Sequence, residues 1–322
     1  MELDWIQVEV SARCAGRCRY CPVHRLADRR QRGLMAPETF QRLLPHLSAA
    51  KLVHLQGWGE SLLHPEFWEM ARLVGETGAR VGFTTGGAQL NAANRRALLK
   101  SPVEIVGISL AGATPNTHDR FRPGNPLDKN LTALRREGGE LGTEAPRLHL
   151  AFLLMADNLE ELPAAVDLAR RWGATQMVVS QLSLILNREM EEQSLLVRRD
   201  LWSRAREVVA EARERGQEAV GKGAEEEGAR ARGPGGLAFP GLTVGPSPAT
   251  GMVFHLHGFH AREANPACTE NLLRSCFVSA AGDVSPCVMT NLGLKPGAGA
   301  KHRFQGEDIS VLTLTFGNLR DA

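Results

Sequence analysis

The chain has 322 residues, of which 43% are hydrophobic, so it can form a sizeable core and more than one domain. The formal net charge is only +2, because Lys and Arg are interspersed with Asp and Glu, which gives no reason to expect nucleic acid or an anionic membrane as a partner. No apolar run reaches the roughly 18 residues of a membrane span, and the first residues lack the blocks of a signal peptide, so we expect a cytoplasmic protein.

Strand-like segments, either apolar or alternating, recur through the first two thirds of the chain with helix-like segments between them. Pro37 and Asn158 mark two of the helix starts, as a first-turn proline and a capping residue. Six such repeats predict parallel β/α units that close or half-close into a TIM-like barrel, a partial (β/α)6 barrel of the α/β class. The predicted strands are 5–10, 52–56, 80–85, 104–110, 148–155 and 176–182.

Three cysteines follow the first predicted strand with the spacing C-x3-C-x2-C: Cys14, Cys18 and Cys21. In a reducing compartment such a cluster more often binds metal than forms disulfides. A zinc site normally has a fourth ligand close by, and no Cys or His has zinc-finger spacing here, although His24 is near. A 4Fe–4S cubane tolerates three cysteines and leaves one iron open. A zinc loop and three unrelated thiols remain the alternatives.

This spacing, with an aromatic residue before the last cysteine, resembles the signature of the radical S-adenosylmethionine (SAM) superfamily. The resemblance implies that the cysteines hold a 4Fe–4S cluster whose open iron binds the amino and carboxylate groups of SAM. Reductive cleavage of SAM would then give a 5′-deoxyadenosyl radical that abstracts hydrogen from a substrate. It also implies a reductant such as ferredoxin or flavodoxin. Tyr20 occupies the aromatic position, which in that family lies against the adenine.

Two further motifs lie at the ends of the second and third predicted strands. The sequence Gly57-Trp58-Gly59-Glu60 resembles the Gly-Gly-Glu element of the family, whose backbone and acid meet the SAM ammonium group. Trp58 departs from the usual pattern. Phe83-Thr-Thr-Gly86-Gly resembles the Thr-Asn-Gly stretch, with Gly86 where Asn is common.

The resemblance continues after the fourth predicted strand and covers roughly residues 5–186. Ser109 matches the position whose hydroxyl contacts the ribose, and the segment Asp-Arg120-Phe-Arg122-Pro-Gly resembles one that supplies an arginine to SAM. We favour Arg122 for this role, with Arg120 as its competitor. An ordinary βα loop is the alternative interpretation of each element taken alone.

A second group of cysteines lies near the C-terminus: Cys268, Cys276 and Cys287. The pattern Cys268-x13-Gly282-x4-Cys287 resembles the opening of the auxiliary-cluster domains called SPASM or Twitch. The residues between the cysteines predict a β-hairpin. The resemblance implies one auxiliary Fe–S cluster, bound by these three cysteines, that either binds substrate through an open iron or relays electrons. Reduced structural cysteines or a zinc site are the alternatives.

The chain is predicted to divide into three parts. Residues 1–186 form the barrel, residues 187–260 a charged helix followed by a Gly- and Pro-rich linker, and residues 261–322 the small Fe–S domain with the hairpin. Within the middle part, residues 188–217 predict an amphipathic helix and residues 221–251 the linker.

Three hypotheses of function follow. The first is a radical SAM enzyme that modifies or matures a peptide or protein. The second is a radical SAM enzyme that acts on a small molecule or a cofactor precursor, since Val178-Val-Ser-Gln-Leu and the C-terminal Phe-Gly-Asn resemble maturases of tungsten-dependent oxidoreductases. The third is a non-enzymatic Fe–S electron carrier or zinc-binding module, which leaves the SAM-like motifs unexplained.

Overall fold

A computed structural model of the chain describes residues 3–123, 127–142, 145–174, 176–218, 253–256 and 274–321. The strands are β1 (Leu3–Val8), β2 (Ala50–Leu55), β3 (Arg80–Thr85), β4 (Val103–Leu110), β5 (Arg147–Leu154), β6 (Gln176–Gln181), β7 (Val253–Leu256), β8 (Ser275–Val278), β9 (Asp283–Ser285), β10 (Ala300–Phe304), β11 (Glu307–Val311) and β12 (Gly317–Asn318). The α-helices are α1 (Pro22–Arg25), α2 (Pro37–Leu47), α3 (Phe67–Glu76), α4 (Ala92–Leu99), α5 (Pro115–Phe121), α6 (Leu127–Glu140), α7 (Leu162–Arg171), α8 (Arg188–Gln193) and α9 (Trp202–Glu218).

Ten strands form one sheet in the order β12-β9-β8-β1-β2-β3-β4-β5-β6-β7. Strands β1 to β6 pair with their sequence neighbours in parallel, and every predicted strand lies within two residues of the observed one. The partial (β/α)6 barrel is therefore confirmed. Strand β7 adds a further parallel strand beside β6, and β8 pairs in parallel with the other side of β1.

The main hydrophobic core lies between the outer face of this sheet and the helices. Alternate strand residues such as Ile6, Val53 and Val106 point into it and are at most 3% exposed. Because strand side chains alternate between faces, the residues between them line the inner face of the barrel, and several of these, including His54 and Thr84, are polar. His54 bonds Thr84 across two strands, with 2.9 Å between Nε2 and Oγ1.

Close packing on the inner face explains a glycine. A Cβ atom on Gly82 would lie 2.8 Å from Nδ1 of His54, so a larger residue would displace the imidazole. Burial lowers the pKa of His54 to about 4, so the ring is neutral at pH 7.

The charged segment that sequence patterning predicted as one helix forms two, α8 and α9. Helix α9 packs on α7, and its apolar residues Ala205, Val208 and Ala212 belong to the main core. The predicted linker, residues 221–251, lies outside the described residues. Within the described part of the chain, no helix has the length and apolar character that crossing a membrane requires.

The C-terminal hairpin predicted from sequence is confirmed as β8 and β9, which pair antiparallel with Phe277 opposite Ser285. It continues the barrel sheet through β1. Strands β10 and β11 form a separate antiparallel pair that contacts α8, where Arg303 Nε lies 2.9 Å from Oε2 of Glu191.

Candidate functional site

The three N-terminal cysteines lie on one loop after β1 and are each half-buried. A Cβ atom placed on Gly16 would lie 3.4 Å from the sulfur of Cys14 and 3.9 Å from that of Cys18, so both thiols face the same point. The loop turns back on itself where the N–H of Cys21 donates to the carbonyl of Cys18 at 3.2 Å. Pro22 then starts α1.

Burial and mutual proximity set the protonation of these thiols. Burial raises the pKa of Cys21 to about 12, and the neighbouring Cys18 and Cys14 raise it further, while an N–H bond from Val23 opposes this. Burial also raises the pKa of Cys14, and the nearby Glu60 and Cys18 raise it further. Without a cation these two thiols stay protonated at neutral pH, so binding of a metal group to them must release protons.

Within the described residues, no three or more His, Cys, Asp or Glu side chains are placed to share a single metal ion. A four-iron cluster takes each thiolate at a different iron, so its cysteines stand farther apart than the ligands of one ion.

The carboxylate of Glu60 faces the cysteine loop from the end of β2. Its side chain is buried, with 8% exposure. Oε2 accepts a hydrogen bond from the N–H of Gly86 at 2.9 Å, whereas Oε1 is buried and has no hydrogen-bond partner among the described residues. Burial raises the pKa of Glu60, and the Gly86 N–H partly offsets it. An acceptor left without a partner in this way is suited to a cationic donor.

The guanidinium of Arg122 lies near the same glycine as the carboxylate of Glu60. Arg122 follows α5 as the helix cap, and its Nη1 donates to the hydroxyl of Tyr20 at 2.8 Å, while its Nε is buried without a partner among the described residues. A Cβ atom on Gly86 would lie 3.0 Å from Nη2 of Arg122 and 3.5 Å from Oε2 of Glu60. A side chain at position 86 would therefore crowd the guanidinium, and the glycine that replaces the family's asparagine lets Arg122 and Glu60 approach the same point.

The competing arginine points elsewhere. Arg120 forms a surface pair with Asp157 at 3.2 Å and lies over the ring of Phe121. Burial lowers the pKa of Arg122, but the neighbouring Tyr20 hydroxyl and Cys18 sulfur outweigh this effect, so the pKa is raised and the guanidinium remains charged. The geometry thus supports Arg122 as the residue that faces the cysteines.

Apolar residues pack around Tyr20. Its ring packs against a second hydrophobic cluster built from the loops after β4, β5 and β6, and burial raises the pKa of its hydroxyl to about 12. The hydroxyl is therefore a neutral hydrogen-bond partner for Arg122. The buried members of this cluster are Ala111, Phe121, Met155, Leu182, Ile185 and Met190.

Helix α5 is oriented by an acid from a neighbouring loop. The carboxylate of Glu161 accepts hydrogen bonds from the N–H of Ala113 at 2.6 Å and of Thr114 at 3.2 Å, and also from the hydroxyl of Thr117. This cap satisfies N–H groups at the start of α5 that have no partner within the helix, and it thereby fixes where Arg122 leaves the helix.

The glycines of the Gly57-Trp58-Gly59-Glu60 loop are required by close packing. A Cβ atom on Gly57 would overlap the side chain of Glu9, and one on Gly59 would overlap the backbone carbonyl of Ser11. The indole N–H of Trp58 donates to the carbonyl of Asn291 at 3.0 Å, so the residue that departs from the family pattern contacts the C-terminal segment.

Ser109 lies at the C-terminal end of β4 and is half-buried. It is two residues from Gly107 and shares the inner face of the barrel with it. Ser109 thus stands at the same edge of the sheet as the other predicted SAM contacts.

A buried ion pair that contacts the loop of residues 57–60 was not predicted from the sequence. Glu9 and Arg30 are 2% and 1% exposed, and Nη2 of Arg30 lies 3.7 Å from Oε1 of Glu9. Glu9 also accepts hydrogen bonds from the N–H groups of Trp58 and Gly59 in the loop, and from Ala280 in the hairpin turn. Arg30 reaches the carbonyl of Leu292 through Nε at 2.5 Å. The one available signal was a charged residue within the apolar run Val8-Glu9-Val10.

The structure describes two of the three C-terminal cysteines, because Cys268 lies outside the described residues. Cys276 pairs with Ile6 across β8 and β1 and packs against the main core, and burial raises its pKa to about 11. Cys287 follows β9, is 9% exposed and caps the short turn that ends at Thr290. The structure therefore places Cys276 on the core-facing side of the hairpin.

Residues 8–169 match the sequence profile of the family described as the Radical SAM superfamily. The chain is 25% identical over 187 residues to the tungsten-containing aldehyde ferredoxin oxidoreductase cofactor-modifying protein of Pyrococcus furiosus, covering 56% of this chain and 52% of that protein. It is 26% identical over 209 residues to the PqqA peptide cyclase of Ruegeria pomeroyi, covering 64% of this chain and 54% of the cyclase. The chain thus spans about half the length of these curated relatives.

The fold is similar to that of Streptococcus suis SuiB in its crystal structure bound to S-adenosylmethionine. The TM-score is 0.63 at 16% sequence identity, and the match covers 91% of this chain and 61% of SuiB. At this identity the similarity concerns the fold.

The buried pair of Glu9 and Arg30 predicts a measurable loss of stability when one partner is removed. Glu9→Gln should cost about 3–5 kcal/mol in the free energy of unfolding, because the charge of Arg30 is left buried and unpaired. The double variant Glu9→Gln/Arg30→Met should recover part of that loss. Urea unfolding followed by circular dichroism measures both.

The matched control is Glu104→Gln, which removes the acid of an exposed pair with Arg80. It should cost less than about 1 kcal/mol. Equal losses for Glu9→Gln and Glu104→Gln would contradict the role assigned to Glu9.

Proposed function

The chain belongs to the radical SAM superfamily, and on that premise we propose that Cys14, Cys18 and Cys21 bind a 4Fe–4S cluster with one iron open to S-adenosylmethionine. The observation that carries the proposal is the buried Oε1 of Glu60, a carboxylate oxygen without a partner among the described residues, on an acid that lies close enough to Cys14 to raise the pKa of that thiol. A cationic amino group beside the cluster is the donor that this oxygen lacks.

When bound, the cluster and SAM supply the reductive cleavage that yields methionine and a 5′-deoxyadenosyl radical able to abstract hydrogen. The chain's own residues position SAM and exclude water. Oε1 of Glu60 would accept from the SAM ammonium group, and Gly86 lets Arg122 approach this acid closely. Gly57 and Gly59 allow the loop to approach closely enough to place that acid.

Arg122, Ser109 and Tyr20 would supply the remaining contacts to SAM. Arg122 binds the SAM carboxylate or a ribose hydroxyl through its free Nε, and Ser109 contacts the ribose from the end of β4. Tyr20 lies against the adenine, with the second hydrophobic cluster behind it. Apolar walls exclude water from the site, which protects a reactive radical from side reactions.

We propose a peptide or protein as the substrate. The peptide cyclase among the relatives supports this class, since its name states a peptide substrate. The tungsten-enzyme cofactor-modifying protein supports the second candidate, a cofactor precursor. Incubation of the reduced protein with either class, followed by mass spectrometry of the substrate, separates them.

The proposal includes one auxiliary Fe–S cluster, bound by Cys268, Cys276 and Cys287. The hairpin β8–β9 supports it, because Cys287 follows β9 closely and the hairpin is anchored to β1 through β8. Cys276 packs against the core, so its contribution is the one that an iron count must decide.

Alanine variants of the cysteines test both clusters. Anaerobic reconstitution of the parent chain should give about eight irons, as two cubanes require. Cys18→Ala should lose about four irons and all formation of 5′-deoxyadenosine with dithionite and SAM. Cys287→Ala should lose the other cluster yet keep SAM cleavage uncoupled from substrate turnover. Cys276→Ala, measured beside it, shows whether that thiol is a ligand or a core residue.

Two results would defeat the assignment. One is 5′-deoxyadenosine formed by Cys18→Ala. The other is a parent chain that binds zinc and no iron, which would favour the non-enzymatic module.

The role of Glu60 predicts a loss of SAM affinity. Glu60→Gln removes the charge opposite the SAM ammonium, which is worth about 1.5–3 kcal/mol for a charge-assisted hydrogen bond. The dissociation constant of SAM, measured by equilibrium dialysis on iron-loaded protein, should therefore rise about tenfold to a hundredfold. Glu104→Gln, at an exposed position, should leave it unchanged, and an unchanged constant in Glu60→Gln would exclude this role.

A further inference from the structure

The guanidinium of Arg30 is buried with most of its hydrogen-bond donors unused. The side chain is 1% exposed, and its Nε donates to the carbonyl of Leu292 at 2.5 Å. Nη1 and Nη2 are both buried and have no hydrogen-bond partner among the described residues. Each Nη carries two N–H donors, and buried donors without an acceptor are costly. Such groups in a folded protein indicate a bound group or a redox role that supplies the acceptor.

The acid beside Arg30 does not use these donors. Nη2 of Arg30 lies 3.7 Å from Oε1 of Glu9, which is too far for a hydrogen bond. Glu9 instead accepts from the backbone N–H groups of Trp58 at 2.8 Å and Ala280 at 3.4 Å. The pair therefore balances charge, while the Nη groups still lack an acceptor.

The backbone holds Arg30 close to the cysteine loop. Helix α1 starts directly after Cys21, and Leu26, which caps this helix, accepts a hydrogen bond from the N–H of Arg30 at 2.9 Å. On the other side, Arg30 forms an antiparallel bridge with Leu294, and a Cβ atom on Gly293 would lie 3.1 Å from Nη2. The side chain is thus fixed between the end of the cysteine loop and the C-terminal segment.

Two of the loop cysteines are near this guanidinium. Burial lowers the pKa of Arg30, and the charge of Glu9 opposes that shift. Cys21 and Cys14 oppose it as well, which places both sulfurs within reach of the same cation. An arginine stays protonated in proteins even when it is buried. Arg30 is therefore a permanent buried cation beside two of the three cysteines.

We propose that the Nη groups of Arg30 donate to sulfur of the cluster bound by the three cysteines of the loop, and that this buried cation raises the reduction potential of the cluster. The inference rests on the proposed function, because it assumes a cluster at this loop. It gives the unused donors an acceptor that carries negative charge. Arg30 acts on the cluster and takes no part in binding SAM.

The effect follows from the charge that reduction adds. When the cluster takes up one electron it becomes more negative by one charge, and no covalent bond changes. A neighbouring cation and N–H donors to sulfur stabilise the reduced form more than the oxidised one. Because Arg30 is buried, solvent and salt screen its charge far less than that of its exposed neighbour Arg29.

Two chains that differ only at residue 30 isolate the effect: Glu9→Gln and Glu9→Gln/Arg30→Met. Both lack the buried acid, so a change in the protonation of Glu9 cannot enter the comparison. Arg30→Met in the parent chain gives a second comparison that does not depend on the stability of Glu9→Gln. Arg29→Met is the matched control, since it removes an exposed cation at the next position.

The measurement is the midpoint potential of the reconstituted protein. Electron paramagnetic resonance follows the reduced cluster while dithionite is added in the presence of redox mediators. The signal that changes when SAM is added identifies the cluster at the cysteine loop. Iron content and circular dichroism verify that the compared chains are equally loaded and folded.

We expect the equilibrium constant for reduction to be about tenfold smaller in Glu9→Gln/Arg30→Met than in Glu9→Gln, a fall of about 59 mV for one electron. Arg30→Met should fall in the same direction relative to the parent chain. Glu9→Gln/Arg30→Lys, which keeps the charge with fewer donors, should recover part of the fall. Arg29→Met should leave the potential unchanged.

Equal potentials within each compared pair would overturn the proposal. So would an equal fall in Arg29→Met, because any cation near the loop would then act alike and the buried donors of Arg30 would have no special part. Failure of the proposed function looks different: no signal of a reduced cluster in the parent chain then responds to SAM, and the inference falls with it.

Discussion

The carboxylate of Glu9 joins the parts of the site that are far apart in sequence. It lies just past the end of β1, out of contact with water, and accepts hydrogen bonds from the loop at Trp58 and from the hairpin turn at Ala280. Arg30, which follows the cysteine loop, supplies the balancing charge. A buried carboxylate is tolerated only when it is paired and hydrogen-bonded in this way. The cysteine loop, the loop of residues 57–60 and the C-terminal hairpin are therefore held in one arrangement.

This arrangement connects the C-terminal segment to the position of Glu60. The indole of Trp58 donates to Asn291, and its backbone N–H donates to Glu9, so the loop that ends at Glu60 is fixed from two sides. Strand β8 also pairs directly with β1. The hairpin is thus part of the same sheet as the barrel, and a distortion of the hairpin would reach the loop of residues 57–60 through Glu9.

The sequence predicted the six barrel strands because their apolar alternation is local, and it predicted the cysteine loop because its ligands lie within a few residues of one another. It favoured Arg122 and kept Arg120 as a competitor, since only the end of α5 decides which side chain turns inward. The pair of Glu9 and Arg30 could not be predicted, because it depends on packing between segments distant in the chain. The same holds for the pairing of β8 with β1. Cys268 stays a prediction from pattern alone.

The central claim is that SAM binds directly to a cluster held by Cys14, Cys18 and Cys21. Electron–nuclear double resonance of the dithionite-reduced protein, with SAM carrying nitrogen-15 in its amino group, tests it most directly. The account predicts a nitrogen coupling strong enough to require a bond to iron, lost in Cys18→Ala. A reduced cluster that shows no such coupling with SAM at saturating concentration would contradict it.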